Sequence, residues 1–226
     1  MDAKGYIIIR DAIKYPSLKL RRLKKDNRVH SKTMWKLRFE VKKHFEKLWN
    51  TSDLVSCFGG NVIDSGNWTL PWHVDQNSTH GNQIRAVQGI LALSNSNATQ
   101  LLAGSHKYFQ SLSYRRTSKK PYEWEYYEIP DHDFIWKKGL NIETPQLNAG
   151  DLLIFDSRVL HRVIKHNKRS VAYISMVPRK FLSNLIERLR KKAYKRNNYT
   201  THWCEKLMIN GADKPIQSDL EYNELI

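Results

Sequence analysis

The sequence predicts a mainly β protein: a double-sheet β jelly roll with helices at its two ends. Three observations predict it. Short apolar runs, bounded by Gly, Asn and Ser, recur between residues 54 and 178, and runs of that length between turn signals are strands. Two longer segments, about 31–50 and 181–196, place apolar residues at helical spacing. The chain has 226 residues, enough for one sizeable core. Strands in number with helices at the margins resolve into layered sheets that bury a shared interior.

Taken in order, Tyr6-Ile7-Ile8-Ile9 after Gly5 is a β-branched run and reads as a strand. Residues 14–32 are basic, interrupted by Pro16 and Asn27, and read as an exposed loop or a frayed helix. Ser31 is a candidate N-cap for a helix in which Met34, Leu37, Val41, Phe45 and Leu48 recur every three or four residues. Residues 54–58 form a short strand ended by Gly59-Gly60, and 67–70 lead into a strand at 72–75. A loop at 77–82 precedes a strand at 86–93, a turn at 94–98 and a returning strand at 99–104. Residues 108–136 interleave aromatics with charges and have no single period. Such a long connection is either a lid or binding loop, or a packed insertion. Residues 150–164 and 169–177 read as two strands joined by a turn at 165–168. Phe181 opens a second helix, with Leu182, Leu185, Ile186, Leu189 and Ala193 as its apolar face and a basic remainder. The tail, 197–226, is polar. The expectation is one domain over 1–226, with a β core at about 54–178, helical support at 31–50 and a basic helix at 181–196.

Composition narrows the class. No stretch reaches the roughly 18 apolar residues of a membrane helix, and Met1-Asp2-Ala3-Lys4 does not read as a signal peptide. Cys57 and Cys204 are the only cysteines, too few for a disulfide framework or a Cys-rich zinc site. The expectation is an intracellular, cytoplasmic protein. The formal net charge of +16 fits a solvated surface, or attraction to nucleic acid or an anionic metabolite. The clusters at 19–25 and 188–196 are the candidate phosphate contacts.

The chemistry gathers at Pro71-Trp72-His73-Val74-Asp75-Gln76. His73 and Asp75, two apart on a strand, point to one face. His161, in the run that begins Gly150-Asp151-Leu152, offers a second imidazole. Two histidines and one carboxylate on one side of a metal leave open positions, the facial triad of non-haem Fe(II) oxygenases. Arg169 follows His161 by eight residues, across an expected strand, turn and strand, and arginine is the side chain suited to a bidentate grip on a carboxylate. Arg162 and Lys168 are nearby substitutes. Gln88 is a polar residue in an apolar strand. Ser105 and His106, after Gly104, read as turn-shaping, Asp156 as supporting or surface, and His202 with Cys204 lacks the partners for zinc.

These pieces together resemble the phytanoyl-CoA dioxygenase-like family of Fe(II)- and 2-oxoglutarate-dependent oxygenases. The matching stretches are Trp72-His73-Val74-Asp75-Gln76, Val87-Gln88-Gly89-Ile90, Ala98 to Lys107, Ala149 to Phe155 with Leu160-His161, and Asn167 with Arg169. They occur in the family's order over about residues 5–178, with Ala103 where the family has proline. The resemblance implies a double-stranded β-helix, the jelly-roll or cupin-like fold. It implies iron held by His73, Asp75 and His161, the distal carboxylate of 2-oxoglutarate gripped by Arg169, and a further co-substrate contact from Gln88. It implies hydroxylation of a substrate with O2, giving succinate and CO2. A small-molecule substrate is expected. The alternatives are a nucleic-acid-binding protein, a nucleic-acid-modifying oxygenase, or a catalytically silent binding module of the same fold.

Overall fold

The computed structural model describes residues 1, 3–26, 28–76, 82–113, 127–129, 133–200 and 209–210. In chain order the strands are β1 (Tyr6–Ile9), β2 (Leu54–Ser56), β3 (Asn61–Ser65), β4 (Leu70–Val74), β5 (Val87–Ala92), β6 (Thr99–Leu102), β7 (Tyr127–Glu128), β8 (Ile142–Glu143), β9 (Leu152–Asp156), β10 (His161–Val163), β11 (Arg169–Tyr173), β12 (Met176–Pro178), β13 (Tyr199–Thr200) and β14 (Ile209–Asn210). The helices are α1 (Pro16–Lys25), α2 (Lys32–Trp49), α3 (Phe109–Ser113) and α4 (Asn184–Lys195).

Two five-stranded antiparallel sheets face each other, ordered β1-β9-β5-β11-β3 and β7-β4-β10-β6-β8. This is the expected double-stranded β-helix. The period-two alternation of strands sorts the core. In β9, Leu152 and Ile154 pack outward beneath the helices, while Leu153 and Phe155 pack inward between the sheets. α2 covers the first sheet with Met34, Trp35, Leu37, Val41 and Phe45. Gly89 of β5 permits that contact: a Cβ there would lie 2.1 Å from the Ile174 carbonyl and 3.0 Å from Phe45 Cζ. The second sheet is covered by Phe109, Leu112 and Ile135, with Tyr108, Phe134 and Trp136 packed against them. The ends of the 108–136 segment are therefore packed; its middle, 114–126 and 130–132, lies outside the described residues. So do 77–81, His202, Cys204 and most of the tail.

Several local expectations change. Pro16 does not break a helix; it starts α1 at the first turn, where its missing N–H is harmless, and Leu23 anchors α1 in the core. α2 begins as expected, with Ser31 Oγ accepting from Met34 N at 3.3 Å. α4 starts at Asn184 with Ser183 as cap, whereas Phe181 sits in a preceding 3-10 turn against Trp49. Its faces are also rotated from expectation: Leu185 is exposed and Arg190 is fully buried. β3 was not legible as a strand. The run 150–164 is two strands in opposite sheets, β9 and β10. A turn divides them, with Val159 N donating to Asp156 O at 2.9 Å and Arg158 N to Asp156 Oδ1 at 2.9 Å. Likewise 169–177 divides into β11 and β12. Among the described residues no helix is long and apolar enough to cross a membrane.

Candidate active site

β4 and β10 are neighbours in the second sheet, and His73 and His161 are direct cross-strand partners. Their ring centroids are 4.1 Å apart. Asp75 follows the end of β4 on the same face, its backbone N–H donating to Ser157 O at 3.1 Å. Its carboxylate lies 3.1 Å from His161 Nε2 through Oδ2 and 3.8 Å from His73 Nε2 through Oδ1. One ligand atom from each of the three residues falls within 4.8 Å of the others, and all three residues are buried.

The histidines are oriented from behind. His73 Nδ1 lies 2.7 Å from Pro71 O, and His161 Nδ1 lies 3.0 Å from Val159 O. A carbonyl can only accept, so each Nδ1 is the donor, and each Nε2 faces the Asp75 carboxylate at the centre. That is the arrangement metal-binding imidazoles take. The Gly104-Ser105-His106 turn supports one of these contacts. Ser105 Oγ accepts from Leu160 N at 2.8 Å, fixing the backbone just before His161. Gly5, at φ +80°, lets the chain pass there; a Cβ would come 2.5 Å from both His106 Nδ1 and Val159 Cγ2.

The three residues line a cavity of about 330 Å³ between the sheets, shared with Trp68, Leu70, Thr99 and Tyr173, and with Cys57, Gly59, Gly60 and Ser175 at another part of its wall. Gln88 also lines it, but its amide Nε2 donates to Asp75 Oδ2. Gln88 comes from the opposite sheet, so its visible role is to hold Asp75.

Arg169 is buried, though it does not itself line the cavity. Its Nη2 donates to the Tyr173 hydroxyl at 3.3 Å, and its guanidinium lies 5.4 Å from the Trp68 ring centre. Both of those side chains do line it. Arg169 Nε and Nη1 are buried and meet no hydrogen-bond partner among the described residues. A buried guanidinium with two idle donors is costly unless an oxyanion completes it, so the donor set fits a carboxylate. Burial pushes the Tyr173 hydroxyl above the usual phenol range, against the pull of Arg169 and with a further push from Asp75. Tyr173 therefore stays protonated near neutrality and can donate.

His161 and Arg169 are not hairpin neighbours as expected; they approach the interior from opposite sheets. Of the substitutes, Arg162 lies over Trp72 and donates to Gln100 Oε1 at 2.8 Å, and Lys168 is exposed. Asp156 is tied to Arg158 at 2.6 Å, which reaches on to Asn82. Tyr173 and Trp68 were missed. An even spacing of four from Arg169 along one strand could have found Tyr173; nothing in the sequence singled out Trp68. The basic clusters fall on α1 and α4, where Arg188, Lys191, Lys192, Lys195 and Arg196 line a surface groove, while Arg190 turns into the core.

Known proteins with this architecture include the epimerase SnoN, in complex with Fe3+, alpha ketoglutarate and nogalamycin RO (14% identity, TM-score 0.58, 96% of this chain and 93% of that one). EctD from S. alaskensis, with 2-oxoglutarate and 5-hydroxyectoine, matches at 16% identity and TM-score 0.54 over 77% of this chain and 72% of that one. HygX from Streptomyces hygroscopicus, with nickel and 2-oxoglutarate bound, gives 13% and 0.55 over 79% and 84%. In sequence, the chain is 27% identical over 197 residues to Ava biosynthesis cluster protein O of Aspergillus versicolor, covering 77% of this chain and 63% of that protein's length. The phytanoyl-CoA dioxygenase (PhyH) family model matches residues 13–163, which include His73, Asp75 and His161; the chain belongs to the phytanoyl-CoA dioxygenase family.

Proposed function

We propose that the protein is an Fe(II)- and 2-oxoglutarate-dependent dioxygenase that hydroxylates a small molecule. The observation that carries the reading is the convergence of the buried His73 Nε2, His161 Nε2 and Asp75 carboxylate in one cavity. Two imidazoles and one carboxylate suit Fe(II) and leave positions open for exchangeable ligands. Bound iron, with 2-oxoglutarate and O2, supplies the oxidising chemistry, and succinate and CO2 are the co-products.

The chain's own residues position and exclude. Pro71 O and Val159 O hold both rings through Nδ1 and aim Nε2 at the centre. Gln88 fixes Asp75. Arg169 and Tyr173 offer donors to the distal carboxylate of 2-oxoglutarate, with Trp68 over the guanidinium. Phe155, Ile90 and Val163 make the intervening wall apolar, which strengthens each polar contact and keeps bulk water out. No separate acid or base is assigned. The cavity size supports a small-molecule substrate, as do relatives of this fold described with nogalamycin RO and 5-hydroxyectoine.

The test is succinate formation. Protein loaded anaerobically with Fe(II) is given 2-oxoglutarate and oxygen, and compared with His73→Ala. Wild type should form succinate and bind 2-oxoglutarate only with metal present. Equal succinate from both proteins, with no metal-dependent binding, rejects the reading.

A further inference from the structure

Arg38 is out of place in the core. It sits on the buried face of α2 with no exposed surface, and its Nε and Nη1 meet no hydrogen-bond partner among the described residues. Its Nη2 lies 3.5 Å from Gly59 O, at the limit of a hydrogen bond. Among the described residues no carboxylate pairs with it. Its guanidinium lies 4.5 Å from the Trp35 ring centre and 5.9 Å from that of Phe58. Stacking of that kind lowers the cost of a buried cation but supplies no counter-charge. Arg190 stacks on the same Phe58 ring at 4.5 Å and donates to Ser56 O. Burial, followed by the neighbouring Arg190 charge, pulls Arg38 down to about 9, so it remains charged at neutral pH.

What separates this charge from the cavity is a thin partition. Gly59 and Gly60 line the cavity. The peptide between them is trans, so with the Gly59 carbonyl aimed at Arg38 the Gly60 N–H points the opposite way. A Cβ on Gly60 would meet nothing within 4 Å, so the space beside this cavity-lining residue is open. A backbone donor on a cavity-lining glycine, with a buried guanidinium behind its peptide, is an arrangement for an oxyanion.

The charges agree, given the proposed function. The two charges of Fe(II) and that of Arg169 are matched by Asp75 and the two carboxylates of 2-oxoglutarate. Arg38 is left over. We infer that the substrate carries an oxyanion, a carboxylate or a phosphate on a small molecule, which seats at Gly59-Gly60 in front of Arg38.

The test uses the whole chain with Ni(II) as a redox-silent metal and saturating 2-oxoglutarate, so that the Arg169 end is filled. Calorimetry then measures binding of benzoate, phenyl phosphate and neutral benzamide. At least one anion should bind about tenfold more tightly than benzamide, and the tighter of the two identifies the group. Arg38→Met should bring anion and amide to parity, with the 2-oxoglutarate titration reporting that the fold is intact. Gly60→Val, which fills the space without touching the core, should weaken the anion in the same way even if Arg38→Met does not fold. Equal affinities in wild type, or an anion preference that survives Gly60→Val, overturns the inference. Failure of wild type to bind 2-oxoglutarate with Ni(II) counts against the oxygenase reading and so removes the basis of the charge argument; retained 2-oxoglutarate binding with no anion preference defeats the inference alone.

Discussion

At the residue scale, the legible part of the site was its donor chemistry. His73 and Asp75 could be paired from a spacing of two, and His161 and Arg169 by type and order. Gln88 was legible as an unusual polar residue, but its partner was not: contact with Asp75 depends on which strand of the opposite sheet faces β4, and no local pattern encodes that. Arg38 was hidden for a similar reason. It reads as one cation among many on a helix, and only the packing of α2 buries it. The role found for Gln88 has a consequence. Gln88→Leu keeps the volume roughly and removes this donor to Asp75, loosening the hold on its carboxylate. Metal affinity should fall about 10- to 100-fold, the usual cost of losing an outer partner of a ligand, while urea stability of the metal-free protein stays near wild type. Unchanged Ni(II) affinity by calorimetry would show that Gln88 does not orient Asp75.

At the element scale, α2 was legible because its stripe is regular, and the twist of α4 was not, because its apolar and basic residues give no single face. The splitting of 150–164 escaped for a physical reason. Both halves are apolar, and a run buried on both sides does not announce that it changes sheet; the signal lay in Asp156-Ser157, which turns the chain. Gly89 shows how tightly these elements meet. Gly89→Ala puts a methyl against the Ile174 carbonyl, a backbone obstacle that cannot rotate away. The variant should lose about 1–3 kcal/mol by urea denaturation, as overpacked cores do. Phe45→Leu should not rescue it, since the closer contact is the carbonyl rather than the ring. Full rescue would place the clash at Phe45.

For the molecule as a whole, the surplus of positive charge was legible and its distribution was not. Part of it is interior, and it acts on His30. That ring is buried against Phe58 and Tyr194, with Nε2 3.1 Å from Asn198 O. Burial, and then the Arg38 charge, pulls its pKa from 6.5 down to about 3. The folded pKa is the lower one, so the unfolded chain takes up the proton first. The stability that His30 confers is complete above about pH 6.5 and is lost as pH falls toward about 3, at roughly 1.4 kcal/mol per pH unit. Urea midpoints measured from pH 7 to 4 should therefore fall faster for wild type than for His30→Gln. Parallel curves would mean the ring is not held neutral. A last consequence follows from Asp75 being gripped by Gln88 across the gap between the sheets. The two histidines belong to one sheet and are locked in register, and the carboxylate beside them is held from the other. The spacing of the barrel walls is thus gauged at the ligand set, and a molecule that wedges the walls apart would draw Gln88 away from Asp75 and Phe155 away from His161.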